Sequence, residues 1–211
     1  MCYYAKPPED LTEAEKEFAA RFGRPETFIP GKFTNGFAHP QMPVILDENP
    51  HDIIMAEWGL VPNFAQDKTI NAKTLNAKIE TVETTPMYRD SANRRCLVLL
   101  EEFYEWKWHN PTAKTSAKDK YAISLKGQNL FAVAGIYNVW RGEPTFTIVT
   151  TEANSLMADI HNTKKRMPVV LHRQEEKLWL GHDAVPLFKD RTEIDLQAIN
   201  LDQLPQQASL F

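Results

Sequence analysis

The chain has 211 residues, 43% of them hydrophobic, with eleven Phe, six Tyr and five Trp. That composition supports a packed core of single-domain size and argues against a chain that stays disordered. A net charge of −4 argues against a protein that coats nucleic acid through bulk charge, so any such contact must come from a local basic patch.

Taken in chain order, residues 10–22 read as an amphipathic helix. Leu11, Phe18, Ala19 and Phe22 share one face, and Thr12 with Glu15 has capping-box spacing. Short β-branched and aromatic runs predict strands at 43–46, 96–100, 121–125, 130–140, 145–151 and 169–172. A polar segment between Trp108 and Tyr121 reads as a long hairpin loop. Helices are predicted at about 86–93, 152–158 and 173–180, the last closing near Gly181. Regular helices do not separate the strands, which favours an α+β domain over a doubly wound parallel sheet. No repeat or linker divides the chain; the expected organisation is a domain over 1–199 and a tail over 200–211. No apolar run approaches the ~20 residues of a membrane span, and the start MCYYAKPPED has no leader-like pattern. A cytoplasmic, nucleoid-associated protein with no membrane partner is expected.

Only two cysteines are present, Cys2 and Cys96, with no CxxC pair. Neither a zinc site nor a disulfide framework is expected, and no cofactor is implied. Cys2 follows the first Met, and a small second residue usually allows that Met to be removed. Cys2 would then own an α-amine beside its thiol, groups with pKa values near 8 and about 8.5. The pair suits capture of an aldehyde: the amine forms an imine, and the thiol closes on it as a five-membered thiazolidine. Position alone is a weak signal, because a second-place Cys is more often incidental.

Other residues bear chemistry. Glu105 lies between Tyr104 and Trp106, where apolar neighbours would raise its pKa into a working range; a strand-end Glu facing water is the commoner case. His161 can shuttle a proton near pH 7. It sits in a stretch, 160–174, that carries Lys164, Lys165, Arg166 and Arg173 and no carboxylate, a candidate phosphate patch. Asn76 both donates and accepts hydrogen bonds, as positioning a nucleophile requires. Trp58 precedes a Gly59–Pro62 turn and is either a base-stacking platform or, more commonly, a core residue.

Together these pieces resemble the SOS-response-associated peptidase (SRAP) family. The matching elements are Met1-Cys2, Trp58-Gly59-Leu60-Val61-Pro62, Asn76-Ala77-Lys78 with Glu80-Thr81, and Arg94-Arg95-Cys96-Leu97. Then come Phe103-Tyr104-Glu105-Trp106-Lys107, Phe131-Ala132-Val133-Ala134-Gly135, Thr147-Ile148-Val149-Thr150-Thr151, and His161 with Arg166-Met167-Pro168. They run in family order over residues 1–171. The resemblance implies a strongly bent, barrel-like mixed or antiparallel β-sheet flanked by helices. It also implies a DNA-damage-response protein that cross-links covalently to abasic sites in single-stranded DNA through its N-terminal Cys. Carried over by position, Cys2 is the cross-linking residue, Asn76 holds its backbone and the sugar, Glu105 assists proton transfer, and His161 opens the sugar ring. Trp106 and Thr150 line the site, while Lys78, Arg89 and Arg166 contact phosphates. Three departures stand out. The family's usual Met-Cys-Gly-Arg becomes Met-Cys-Tyr3-Tyr4, with Lys6 as a substitute for the missing Arg. An Asn-Ala-Arg becomes Asn76-Ala77-Lys78. The usual His-x-Arg-Met-Pro is stretched by three residues.

Gln207-Ala208-Ser209-Leu210-Phe211 resembles the bacterial sliding-clamp-binding pentapeptide, with Gln207, Leu210 and Phe211 as its anchors; the alternative is an ordinary tail. Two other readings of the main site stay open: a thiol peptidase, self-processing at Met1 included, with Cys2 as nucleophile and His161 as base, and a non-covalent single-stranded DNA-binding module.

Overall fold

A computed structural model describes residues 2–203. In chain order the strands are β1 (Tyr4–Lys6), β2 (Arg21–Phe22), β3 (Thr34–Asn35), β4 (Gln41–Leu46), β5 (Asn49–Trp58), β6 (Asn76–Lys78) and β7 (Arg95–Leu100). They continue as β8 (Glu102–Trp108), β9 (Lys118–Leu125), β10 (Phe131–Trp140), β11 (Glu143–Glu152), β12 (Arg166–Pro168), β13 (Val170–Leu171) and β14 (Leu196–Asn200). The α-helices are α1 (Leu11–Phe18), α2 (Ser155–Ile160) and α3 (Arg173–Leu180).

Two sheets result. The smaller runs β14-β9-β8-β1-β3. The larger follows β12-β11-β10-β7-β4-β5-β2, and a further parallel pairing of β11 with β5 (Thr145 with Glu57, Phe146 with Trp58) bends it into a ring. The architecture is thus mixed α+β, mostly sheet, and the ring is less regular than a strict barrel.

Strand β7 shows why the ring holds. Every residue of Arg-Cys-Leu-Val-Leu-Leu is buried, and alternate side chains point to opposite faces. Cys96, Val98 and Leu100 join one core cluster with Val44, Val133, Ile148, Phe103 and Cys2. Leu97 and Leu99 join the other, with Ala132, Ala134, Ile136 and the α3 residue Trp179. Strands buried on both faces read as continuous apolar runs. Gly135 is required where β10 crosses β7: a Cβ there would sit 2.7 Å from Cys96 Sγ and 3.1 Å from the Thr147 carbonyl.

Helix α1 is shorter than residues 10–22. Asp10 caps it, accepting from Thr12 and Glu13 backbone N–H groups, in place of the Thr12–Glu15 box. Glu15 instead accepts from the Phe22 backbone N–H at 2.8 Å, and left-handed Ala19 ends the helix before β2. Residues 86–93 form successive turns around one 3-10 turn, Arg89–Ser91, not an α-helix; the Tyr88 hydroxyl donates to the Asn76 carbonyl at 2.9 Å, a tertiary tie that overrides local propensity. The helix expected at 152–158 starts later, at Ser155, because β11 runs on to Glu152 and Asn154 supplies the cap. Helix α3 falls at 173–180 with Gly181 at its C-cap, as expected. Among the described residues no helix is long and apolar enough to cross a membrane.

Candidate active site

The antiparallel pairing of β1 with β8 sets Tyr4 against Tyr104 and Ala5 against Phe103. That register runs the start of the chain toward Glu105 and Trp106. Cys2 is fully buried, and its Sγ lies 3.6 Å from the Tyr4 carbonyl. From the other sheet, β6 pairs in parallel with β11 and brings Asn76 to the same place, where its Nδ2 donates to the Cys2 carbonyl at 2.8 Å. Among the described residues, the buried Asn76 Oδ1 has no hydrogen-bond partner, so the amide grips Cys2 with one end and offers an acceptor with the other.

Burial sets the acid–base character. It pushes the Cys2 thiol well above its ordinary range, and the nearby Glu105 charge pushes the same way. Glu105 is itself pushed up to about 7 by burial, which poises it between acid and base at neutral pH. Burial takes His161 down to about 4, so its ring is neutral at pH 7. His161 Nδ1 lies 3.9 Å from Glu105 Oε1 and 2.8 Å from the Arg166 carbonyl. Donation to that carbonyl places the ring proton on Nδ1 and the lone pair on Nε2.

The residues between His161 and Arg166 fold back on themselves. Lys164 and Lys165 backbone N–H groups turn back onto the His161 carbonyl, and Lys165 is left-handed at φ 50°. The extra residues loop outward, and Arg166 returns to the His161 ring. Its guanidinium is held by Glu80 in a two-bond pair at 2.6 and 2.8 Å and by the Thr150 carbonyl at 2.7 Å. Burial raises the Glu80 carboxyl, but Arg166 and Lys78 outweigh it and hold it below its ordinary value.

Cys2, Asn76, Glu105 and His161 therefore share one site, with Arg166 against His161. The remaining expectations divide. Lys78 is exposed at the end of β6, and Arg89 is exposed beside Asp90 at 3.5 Å. Trp106 is partly exposed, packed edge-on against Tyr4 at 4.7 Å. Trp58 corrects the base-stacking expectation: it is 0% exposed, donates from Nε1 to the Leu75 carbonyl and stacks with Phe146. Thr150 is buried as well, and its carbonyl holds the Arg166 guanidinium. Lys6, the residue set against the missing Arg, is paired with Glu101 at 2.7 Å and Glu9 at 3.3 Å. Gln207, Leu210 and Phe211 lie outside the described residues.

Sequence reasoning missed Tyr3 and Tyr88. Tyr3 packs against the Cys2 core cluster, and burial with the Glu105 and Cys2 charges raises its phenol above the ordinary value. Tyr88 supports Asn76 through its carbonyl, as described above. The substitution of Tyr for the family's Gly was a visible signal for Tyr3; nothing local marked Tyr88.

A family model for SOS response associated peptidase (SRAP) matches residues 1–203, and the chain belongs to that family. It is 40% identical over 144 residues to the abasic site processing protein YoqW of Bacillus subtilis, an alignment covering 65% of this chain and 61% of that one. It is 27% identical over 164 residues to the abasic site processing protein HMCES of Xenopus tropicalis, covering 66% and 48%. The matched region thus spans about half to three-fifths of these relatives. A crystal structure of a Bacteroides thetaiotaomicron protein superposes with a TM-score of 0.81 at 26% identity, covering 95% of this chain and 93% of that one.

Proposed function

We propose that this protein captures abasic sites in single-stranded DNA by forming a thiazolidine cross-link through Cys2 after Met1 is removed. The observation that carries the reading is the Asn76 grip on the Cys2 backbone, 2.8 Å long, in a pocket shared with a Glu105 poised near pH 7. The family membership and the names of the relatives point the same way.

Removal of Met1 frees the Cys2 amine. His161, whose ring is neutral at pH 7, assists opening of the abasic sugar to its aldehyde. The amine adds to the aldehyde carbon, and protonated Glu105 gives its proton to the departing hydroxyl, so one water leaves and an imine forms. The thiol then adds across the C=N bond; its proton passes by way of Glu105 to the nitrogen, closing the five-membered ring. The spare Asn76 Oδ1 accepts from a sugar hydroxyl or the new ring N–H. Lys78, Arg89 and the exposed Lys164 and Lys165 supply phosphate contacts, and the shielded lesion is kept from strand cleavage.

A thiol peptidase is less well supported. It needs a thiolate, and usually a protonated His partner, whereas burial raises the Cys2 thiol and lowers His161. The test is a denaturing gel of protein incubated with an abasic single strand. The expected result is a heat- and detergent-resistant adduct that Cys2→Ala abolishes. No adduct from wild type whose mass shows loss of Met1 would overturn the proposal, and salt-sensitive binding unaffected by Cys2→Ala would leave a non-covalent binding module in its place.

A further inference from the structure

Two rings beside the Cys2 pocket take no part in the chemistry above. Tyr3 and Phe37 lie with centroids 4.9 Å apart and planes tilted by 31°. Phe37 is 50% exposed, yet the turn that carries it is firmly held. The Gly36 N–H donates to the Tyr3 carbonyl at 2.8 Å, and Asn35 Oδ1 accepts from the Phe37 N–H at 3.0 Å. Gly36 itself packs on the core Trp58: a Cβ there would meet three indole carbons at 3.2 Å. A large apolar ring thus stands half exposed on a turn whose backbone is held by two hydrogen bonds. Its neighbour Tyr3 connects it directly to the residue that carries the nucleophile.

We propose that Tyr3 and Phe37 form a stacking platform for a nucleobase adjoining the abasic sugar. The proposal rests on the abasic-site reading of the Cys2 pocket and adds a binding subsite to it. Its occupant follows from continuity: a single strand whose sugar reaches Cys2 must carry its next base within a nucleotide's length of Cys2, where Tyr3 and Phe37 lie, and every base offers a π-face to an aromatic ring. The chain has Tyr3-Tyr4 where the family usually has Gly-Arg, and Lys6 is paired elsewhere. Stacking therefore replaces a phosphate contact as the grip on the strand next to Cys2. Binding at this point is correspondingly less sensitive to salt than an arginine contact would make it.

The test uses the full-length protein and a single strand carrying a tetrahydrofuran abasic analogue, which has no aldehyde, so binding is read without cross-linking. A 2-aminopurine is placed immediately 5′ or 3′ of the analogue, or about four nucleotides away. Wild type should quench the fluorescence at one adjoining position and not at the distant one. Phe37→Ala should weaken binding by roughly 5- to 100-fold and abolish that quenching while its melting temperature stays close to wild type. Phe37→Trp should restore both, and Phe37→Leu, which keeps apolar bulk without a ring, should not. Binding of Phe37→Ala within about twofold of wild type, an unquenched adjoining base, or full rescue by Leu would overturn the proposal, the last pointing to an apolar protein contact. Adduct formation with authentic abasic DNA is measured alongside. An adduct with an indifferent Phe37→Ala sinks the platform alone. Absence of an adduct sinks the abasic-site reading, and the tetrahydrofuran strand still decides whether the rings stack.

Discussion

The acid–base roles in the pocket are set one residue at a time. Dehydration of the first amine–aldehyde adduct needs an acid, and Glu105 keeps its proton below about pH 7. The wild-type cross-linking rate should therefore fall as pH rises through 7. Glu105→Gln should be slower by at least about tenfold, within the reach of general acid catalysis, and should lack that fall; a pH series of adduct-formation rates checks both. In the proposed mechanism Asn76 orients without exchanging protons. Asn76→Ala should slow the cross-link by roughly tenfold through loss of one positioning hydrogen bond, leaving the pH profile unchanged in shape. The same rate series distinguishes the two variants.

At the scale of elements, helix α3 and strand β7 are coupled through Arg95. Its side chain is buried, donates to the Trp179 and Asp183 carbonyls at 3.2 and 2.7 Å, and lies 4.5 Å over the Trp179 ring. Arg95→Met would remove both donations, leaving the Trp179 carbonyl its bond from the His182 N–H but the Asp183 carbonyl without its donor, and should cost roughly 1–3 kcal/mol in urea unfolding. Gly135→Ala should cost about 1–3 kcal/mol by overpacking against Cys96. The sequence made α3 and the doubly buried strands legible, because an amphipathic stretch with a closing Gly, or an unbroken apolar run, is a local signal. Strand β5 was not legible. Its first residues, Asn49-Pro50-His51-Asp52, are polar, and their strand state comes from pairing with β4 and β2. The site divides likewise. Asn76, Glu105 and His161 could be named through their motifs. The burial of Trp58 and Thr150 could not, because it depends on which face of the ring each side chain meets.

For the molecule as a whole, the buried pocket leaves opposing marks on stability. Glu105 has a folded-state pKa raised to about 7, so its contribution is fully present below the ordinary carboxylate pKa of about 4.3 and is lost as pH rises through 7. His161 is lowered to about 4; its contribution is present above about 6.5 and is lost as pH falls through 4. Urea midpoints of wild type should decline between about pH 6.5 and 8, where the His161 term is already complete, and those of Glu105→Gln should decline less; the loss on the acid side, from His161, should remain in both. A wild-type midpoint that rises across that interval would contradict the buried setting of Glu105.

Cys2 has no exposed surface in the fold, and that fact puts a clock on its maturation. A peptidase that trims Met1 must hold the chain's first residues extended in its own cleft, whereas in the fold Tyr4–Lys6 is already paired with β8 and β3. Cys2 is made first, while the strand that seats it against Glu105 follows about a hundred residues later, and the His161 segment later still. At about 5–20 residues per second the ribosome leaves a window of roughly five to thirty seconds. Trimming during synthesis fits within it. Protein released with Met1 still attached should resist added methionine aminopeptidase until it is unfolded, as intact mass before and after a denature–refold cycle would show.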